Sequence, residues 1–173
     1  MSTTFFSSDL LARLRRSALV SGVVFLSLAA GACSGDDDDD DGGTGPSADC
    51  IDEIDFDAFG IEESDVETIG VDGSESGSLS TSDPDDEGYY FDVYALGVES
   101  DTDVEVTLNP SGFDAVLLVF STDGELIGVS DDEEDPDATE SVSGEFEEGC
   151  YVIGVTSFEA EETGSYTLSV DEN

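Results

Sequence analysis

From Cys33 onward, the side chains able to do chemistry in this sequence are overwhelmingly carboxylates. Of the 45 acids only Asp9 precedes Cys33, whereas the 3 basic side chains, Arg13, Arg15 and Arg16, all do, and there is no histidine. The stretch after Cys33 therefore holds 44 acids and no basic side chain. That composition leaves no nucleophile paired with histidine, no cation to clamp an oxyanion and no histidine to ligate a metal. A carboxylate pair could serve glycoside hydrolysis. Among so many acids, however, some close pair is inevitable, and without tryptophan the strongest sugar-stacking platform is missing. No Asp-Thr-Gly run of the aspartic-protease kind occurs, so the expectation is a protein that is not an enzyme. What remains is the binding of hard cations by oxygen, for which calcium is the fitting ion. "DPDDEG" (83–88) sets Asp83, Asp85 and Glu87 at alternate positions before a glycine, as a calcium loop begins. The twelfth position is Tyr94 rather than glutamate, and solvated turn carboxylates are the competing reading. "DDEEDPD" (131–137) is a second acidic loop.

Charge of one sign also limits the partners. Carboxylates on a compact surface repel one another, and with no internal cation they must be screened by bound or diffuse cations. Nucleic acid is excluded, because phosphate binding needs Lys or Arg to displace counterions. Direct attraction to anionic lipid headgroups is excluded on the same grounds. So complete a bias suggests a halophilic protein from a saline habitat, with an ordinary acidic secreted protein as the plainer alternative. High charge alone would suggest disorder, but hydrophobic residues make up 38% of the chain and fall in short alternating runs after residue 65.

The elements that position these residues begin with an address. Residues 1–32 read as a signal peptide: a basic cluster ending at Arg16, then the apolar run "SALVSGVVFLSLAAGA" (17–32), short for a membrane span, with small residues before a cut site. "AGAC" resembles a bacterial lipobox, with Ala30 where leucine is usual. The resemblance implies that Cys33 is diacylated and becomes the new N-terminus, anchored in a membrane. Residues 33–48, "CSGDDDDDDGGTGPSA", form a disordered acidic Gly-rich linker that like charges hold extended. Its 15 residues after Cys33 reach up to roughly 50 Å at about 3.3 Å each. Nothing after the cysteine resembles an inner-membrane retention signal, so the outer membrane or cell surface is favoured.

With Cys33 taken by lipid, Cys50 and Cys150 remain as a pair outside the reducing cytoplasm. A Cys50–Cys150 disulfide closes a long loop, worth about 4–5 kcal/mol in the chain-entropy model. Two separate buried thiols are the alternative.

Residues 49–173 form one domain. "DVEVTL" (103–108) alternates Val104, Val106 and Leu108 inward with acids and Thr107 outward. "FDAVLLVFS" (113–121) is apolar throughout from Ala115 to Phe120, as in a central strand covered on both faces. Asp123-Gly124 is a hairpin turn into "ELIGVS" (125–130). "SVSGEF" (141–146), "CYVIGV" (150–155) and "SYTLSV" (165–170) follow with period two. The fold class expected is all-β, a single sandwich or jelly roll of about eight short strands. In "YYFDVYAL" (89–96), Tyr89, Phe91, Val93 and Ala95 share one face. Tyr89 and Phe91, with Tyr151 and Tyr166, read as core. Tyr90 and Tyr94 fall on the opposite face and are the candidates for an exposed contact surface. "CIDEIDFDAFGIEE" (50–63) fits a strand through Ile54, Phe56 and Ala58, or a helix face through Ile51, Ile54, Ala58 and Ile61.

Four pieces in order then resemble the bacterial pre-peptidase C-terminal domain across roughly residues 67–170. These are "ETIGVDGSESGSLSTSD" with "GYYFDVYAL", the hairpin "FDAVLLVFSTDGELIGVS", and the closing pair "GEFEEGCYVIGV" and "TGSYTLSV". The resemblance implies a small non-catalytic β-sandwich, usually appended to secreted proteases, with calcium used by related collagen-binding modules. This sequence departs from the pattern in carrying no protease domain. Two functions compete: a surface-displayed binding or accessory module for an extracellular protein or polysaccharide, aided by calcium, and a structural envelope protein giving a hydrated anionic coat.

Overall fold

The computed structural model describes residues 49–131 and 138–173. The signal 1–32, Cys33, the spacer 34–48 and residues 132–137 of the second acidic loop lie outside the described residues. The strands are β1 (Val66–Gly70), β2 (Gly73–Leu79), the two-residue β3 (Asp85–Asp86) and β4 (Tyr89–Tyr90), β5 (Asp92–Val98) and β6 (Thr102–Ser111). They continue with β7 (Ala115–Ser121), β8 (Leu126–Ser130), β9 (Glu140–Phe146), β10 (Gly149–Ser157) and β11 (Gly164–Glu172). β1-β5-β10-β7-β8 form a five-stranded sheet and β2-β11-β6-β9 a four-stranded one, with β3 and β4 a separate small ladder. All pairings are antiparallel except β1 with β5. The all-β sandwich expected from the alternation is therefore the architecture found. The strand number exceeds eight because the opening region divides into β1 and β2, the run 89–96 divides at Phe91 into β4 and β5, and Asp85–Asp86 adds β3.

The alternation has its expected cause. Val104, Val106 and Leu108 of β6 are fully buried and meet Leu117, Val119, Ile153 and Leu168 between the sheets. β7 is buried at every position from Ala115 to Phe120, as its unbroken apolar run requires. At the β7–β8 hairpin the Gly124 amide donates to the Ser121 carbonyl at 3.0 Å. Gly124 adopts φ +82°, a conformation that glycine reaches without a Cβ penalty.

Residues 49–65 are neither of the two forms that their periodicity suggested. Asp49–Glu53 is a 3₁₀ turn, Phe56–Phe59 a single α-helical turn (α1), and Glu63–Asp65 another 3₁₀ turn. The segment lies on the outer face of the five-stranded sheet and builds a second core. Cys50, Ile54 and Phe59 pack there against Phe91, Val93, Ala95, Leu118, Phe120 and Val152. Phe59 meets Phe120 edge-on at 5.5 Å between ring centroids. The Asp55 amide donates to the Thr122 carbonyl at 3.2 Å. A disulfide joins Cys50 to Cys150 of β10, with Cα atoms 5.4 Å apart and a sequence separation of 100.

This second core overturns one expectation. Tyr94 is 2% exposed, inside the inter-sheet core, and Tyr90 packs partly against the same core. They are not the contact surface suggested by placing them opposite Phe91 and Val93. β5 is covered on both faces, by the four-stranded sheet and by residues 49–65, so its alternation separates two cores rather than core from solvent.

Candidate functional site

The acidic turn after β2 is held by its own carboxylates. Asp83 accepts from the Ser80 amide at 2.6 Å through Oδ2 and from the Ser80 hydroxyl at 3.0 Å through Oδ1. The Phe91 amide donates to the Pro84 carbonyl at 3.0 Å, closing the loop onto the junction of β4 and β5. Asp85 opens the β3–β4 hairpin and accepts from the Gly88 amide at 3.3 Å. Glu87 and Gly88 form its two-residue turn, both with positive φ, +54° and +91°, as a type I′ hairpin requires. The Gly88 carbonyl in turn accepts from the Glu161 amide at 2.8 Å. Asp83 and Asp85 thus serve as turn caps and Glu87 as a turn residue. Among the described residues no three acidic or cysteine side chains are gathered so as to hold a metal ion. A notch of about 70 Å³ lies beside this turn, lined by Phe59, Ile61, Pro84, Asp85 and Phe91 among others. It is of the order of a couple of water molecules, far below the size of a small-molecule site.

The other polar cluster spans the sandwich. The Tyr166 hydroxyl donates to Asp92 Oδ2 at 2.5 Å, and Tyr94 and Tyr166 share a hydroxyl–hydroxyl bond of 2.8 Å. With the Tyr166 proton directed to Asp92, Tyr94 is the donor in that second bond. Asp92 and Tyr94 come from β5 and Tyr166 from β11, so the chain Tyr94–Tyr166–Asp92 ties one sheet to the other. Tyr166 lies over Gly77 of β2, where an added Cβ would come within 2.3 Å of the tyrosine ring end. Burial pushes the Asp92 carboxyl up to about 6, against the lowering by the Tyr166 bond and with help from the nearby charges of Asp83 and Glu67. Burial also pushes the Tyr94 phenol up to about 12 and that of Tyr166 higher still. Both phenols therefore stay neutral donors. With its hydroxyls and carboxylate bonded to one another across the sheets, the cluster has the chemistry of an internal strut.

Sequence reasoning missed this strut because its partners are 72 and 74 residues apart. The available signal was Asp92 itself, a carboxylate inside an apolar strand and on the same face as Tyr94. The pairing of Cys50 with Cys150, by contrast, is the one that the cysteine count suggested. Cys33 lies outside the described residues.

No family model matches the chain, and no curated protein matches it. Among solved structures, it is similar to the pre-peptidase C-terminal domain of collagenase from Bacillus anthracis, at 18% identity and TM-score 0.49, over 61% of this chain and 93% of that one. It is also similar to PliG of Aeromonas hydrophila, a periplasmic inhibitor of g-type lysozyme, at 21% identity and TM-score 0.45, over 62% of this chain and 97% of that one.

Proposed function

We propose that the protein is an exported lipoprotein, acylated on Cys33, and that the spacer 34–48 displays its 49–173 domain at the outer membrane or cell surface. The domain is a non-catalytic binding or accessory module for an extracellular protein or polysaccharide. The observation that carries this reading is the doubly packed, disulfide-tied sandwich. An anionic coat needs only charge and a solvated chain, whereas this domain orders two cores around its central sheet. Export is supported by the Cys50–Cys150 bond, which belongs to an oxidising compartment. Calcium aids this role by screening carboxylates, since among the described residues no three acidic side chains are gathered to hold a metal ion.

Metabolic labelling with a fatty acid tests the anchor: the label is expected on the native protein and absent from Cys33→Ala, and equal labelling would refute it. Capture from cell-surface extract, with calcium and then with chelator, tests the module. A saturable partner supports it. Only salt-labile, stoichiometry-free association with cationic material would make the hydrated anionic coat the better account.

A further inference from the structure

The four edge strands of the two sheets are not alike. β1 carries Glu67, β2 carries Glu75, and β9 carries the exposed Glu145, whereas β8, "LIGVS", carries no charge at all. Charged side chains on an edge discourage another strand from pairing there. In a chain with 45 acids, an uncharged edge is therefore conspicuous. β8 also displays Ile127 and Val129, 47% and 41% exposed, the exposed large hydrophobic side chains among the described residues. Val129 stands opposite Leu118 of β7, whose side chain belongs to the outer core, so Val129 and its alternate neighbour Ile127 face outward from the sandwich. The cover formed by residues 49–65 reaches Leu126 and leaves these two bare. On the opposite face β8 is fixed, because Gly128 lies against Val142 of β9 and the Ser130 hydroxyl donates to Glu140 at 2.5 Å. The edge is thus held from one side, apolar, irregular in its pairing only where Val119 gives way to Phe120 on β7, and bordered by the exposed acids Asp123 and Glu125.

We infer that the β8 edge docks an extended segment of a cationic protein, which adds as a sixth strand to the five-stranded sheet. Main-chain bonds along β8 supply affinity, and alternate apolar side chains of the incoming strand cover Ile127 and Val129. Charge decides the occupant. A second copy of this chain would bring 44 further acids and no base beyond Cys33 to the same contact, a repulsive encounter. A partner rich in Lys or Arg is instead steered toward the surface and its basic side chains neutralise the acids around the edge. This inference rests on reading the domain as a binding module.

The test uses the full chain in detergent and a short synthetic peptide alternating lysine with valine and ending in one tryptophan. The protein has no tryptophan, so peptide fluorescence reports binding directly. Saturable binding is expected, with slowed amide hydrogen exchange in 126–130. Val129→Glu should weaken it by about tenfold through lost apolar cover, although the added acid favours a cation. Ile127→Thr with Val129→Thr, which keeps β-branched residues at exposed positions, should weaken it similarly without unfolding the edge. Equal binding of a lysine–glycine peptide, or binding without protection of 126–130, would reduce the effect to bulk charge and overturn the proposal. Self-association of the chain that both variants abolish would overturn it in favour of a second copy. Failure of the peptide alongside a saturable cell-surface partner unaffected by either variant would overturn the edge assignment and leave the binding-module reading standing.

Discussion

Leu117 and Leu118 are neighbours in β7 and both are fully buried, yet they belong to different cores. Leu117 points between the two sheets, into a cluster of 18 buried residues to which β1, β2, β5–β7 and β9–β11 all contribute. Leu118 points to the outer face, where 10 buried residues pack and the cover is the irregular segment 49–65. The inner core is closed by strand pairing on both sides. The outer core is closed by a segment of three short helical turns, a few apolar anchors and one disulfide, and its cover stops short of Ile127 and Val129. A sandwich face can thus be buried by a segment with no period of its own, provided that the segment is tied down.

Breaking that tie should have the largest effect. Replacing Cys50 and Cys150 together by alanine is expected to cost about 4–5 kcal/mol in denaturant unfolding, because the bond closes a loop of 100 residues. The two leucines sharpen the contrast. Leu117→Ala should cost about 4 kcal/mol and Leu118→Ala about 2–3, since the outer cover can settle into the cavity more readily than two hydrogen-bonded sheets can. Equal losses would remove the distinction between the cores.

How much of this was legible in the sequence follows from the same contrast. Val104, Val106 and Leu108 alternate because β6 faces the inner core on one side only, and Ala115 to Phe120 run unbroken because β7 faces both. The turn at Asp123-Gly124 and the cysteine pair were legible as local or counted features. Residues 50–63 were not, because Ile54 and Phe59 are placed by packing and by the bond at Cys50, not by a helical or strand period. Tyr94 was misplaced for the same reason: alternation along β5 cannot reveal that a remote segment covers its other face. That Asp83 and Asp85 also cap their own turns was hidden among so many acids, since a cap is recognised only by its hydrogen-bond geometry.

Smaller effects probe the strut inside the inner core. Gly77→Ala should cost about 1–3 kcal/mol, because the new methyl displaces the Tyr166 ring, whose hydroxyl is already committed to Asp92 and Tyr94. A pH effect probes the same strut. In the folded state the Asp92 carboxyl lies at about 6 instead of 3.8, so the native protein binds that proton more tightly than the unfolded chain does. The resulting stability is fully present below pH 3.8 and is lost as pH rises through about 6. Asp92→Asn keeps an acceptor for Tyr166 and removes the charge. Its melting temperature should exceed that of the native protein at neutral pH, and the gap should close toward pH 4. A gap unchanged between the two pH values would exclude Asp92 as the titrating group.

The separation of the two cores is tested most directly by native-state hydrogen exchange of the full oxidised chain at rising denaturant. The amides of residues 49–65 are expected to open at a lower free energy than those of β6, β7, β10 and β11, which should exchange only with global unfolding. One common opening free energy across the cover and these strands would contradict it.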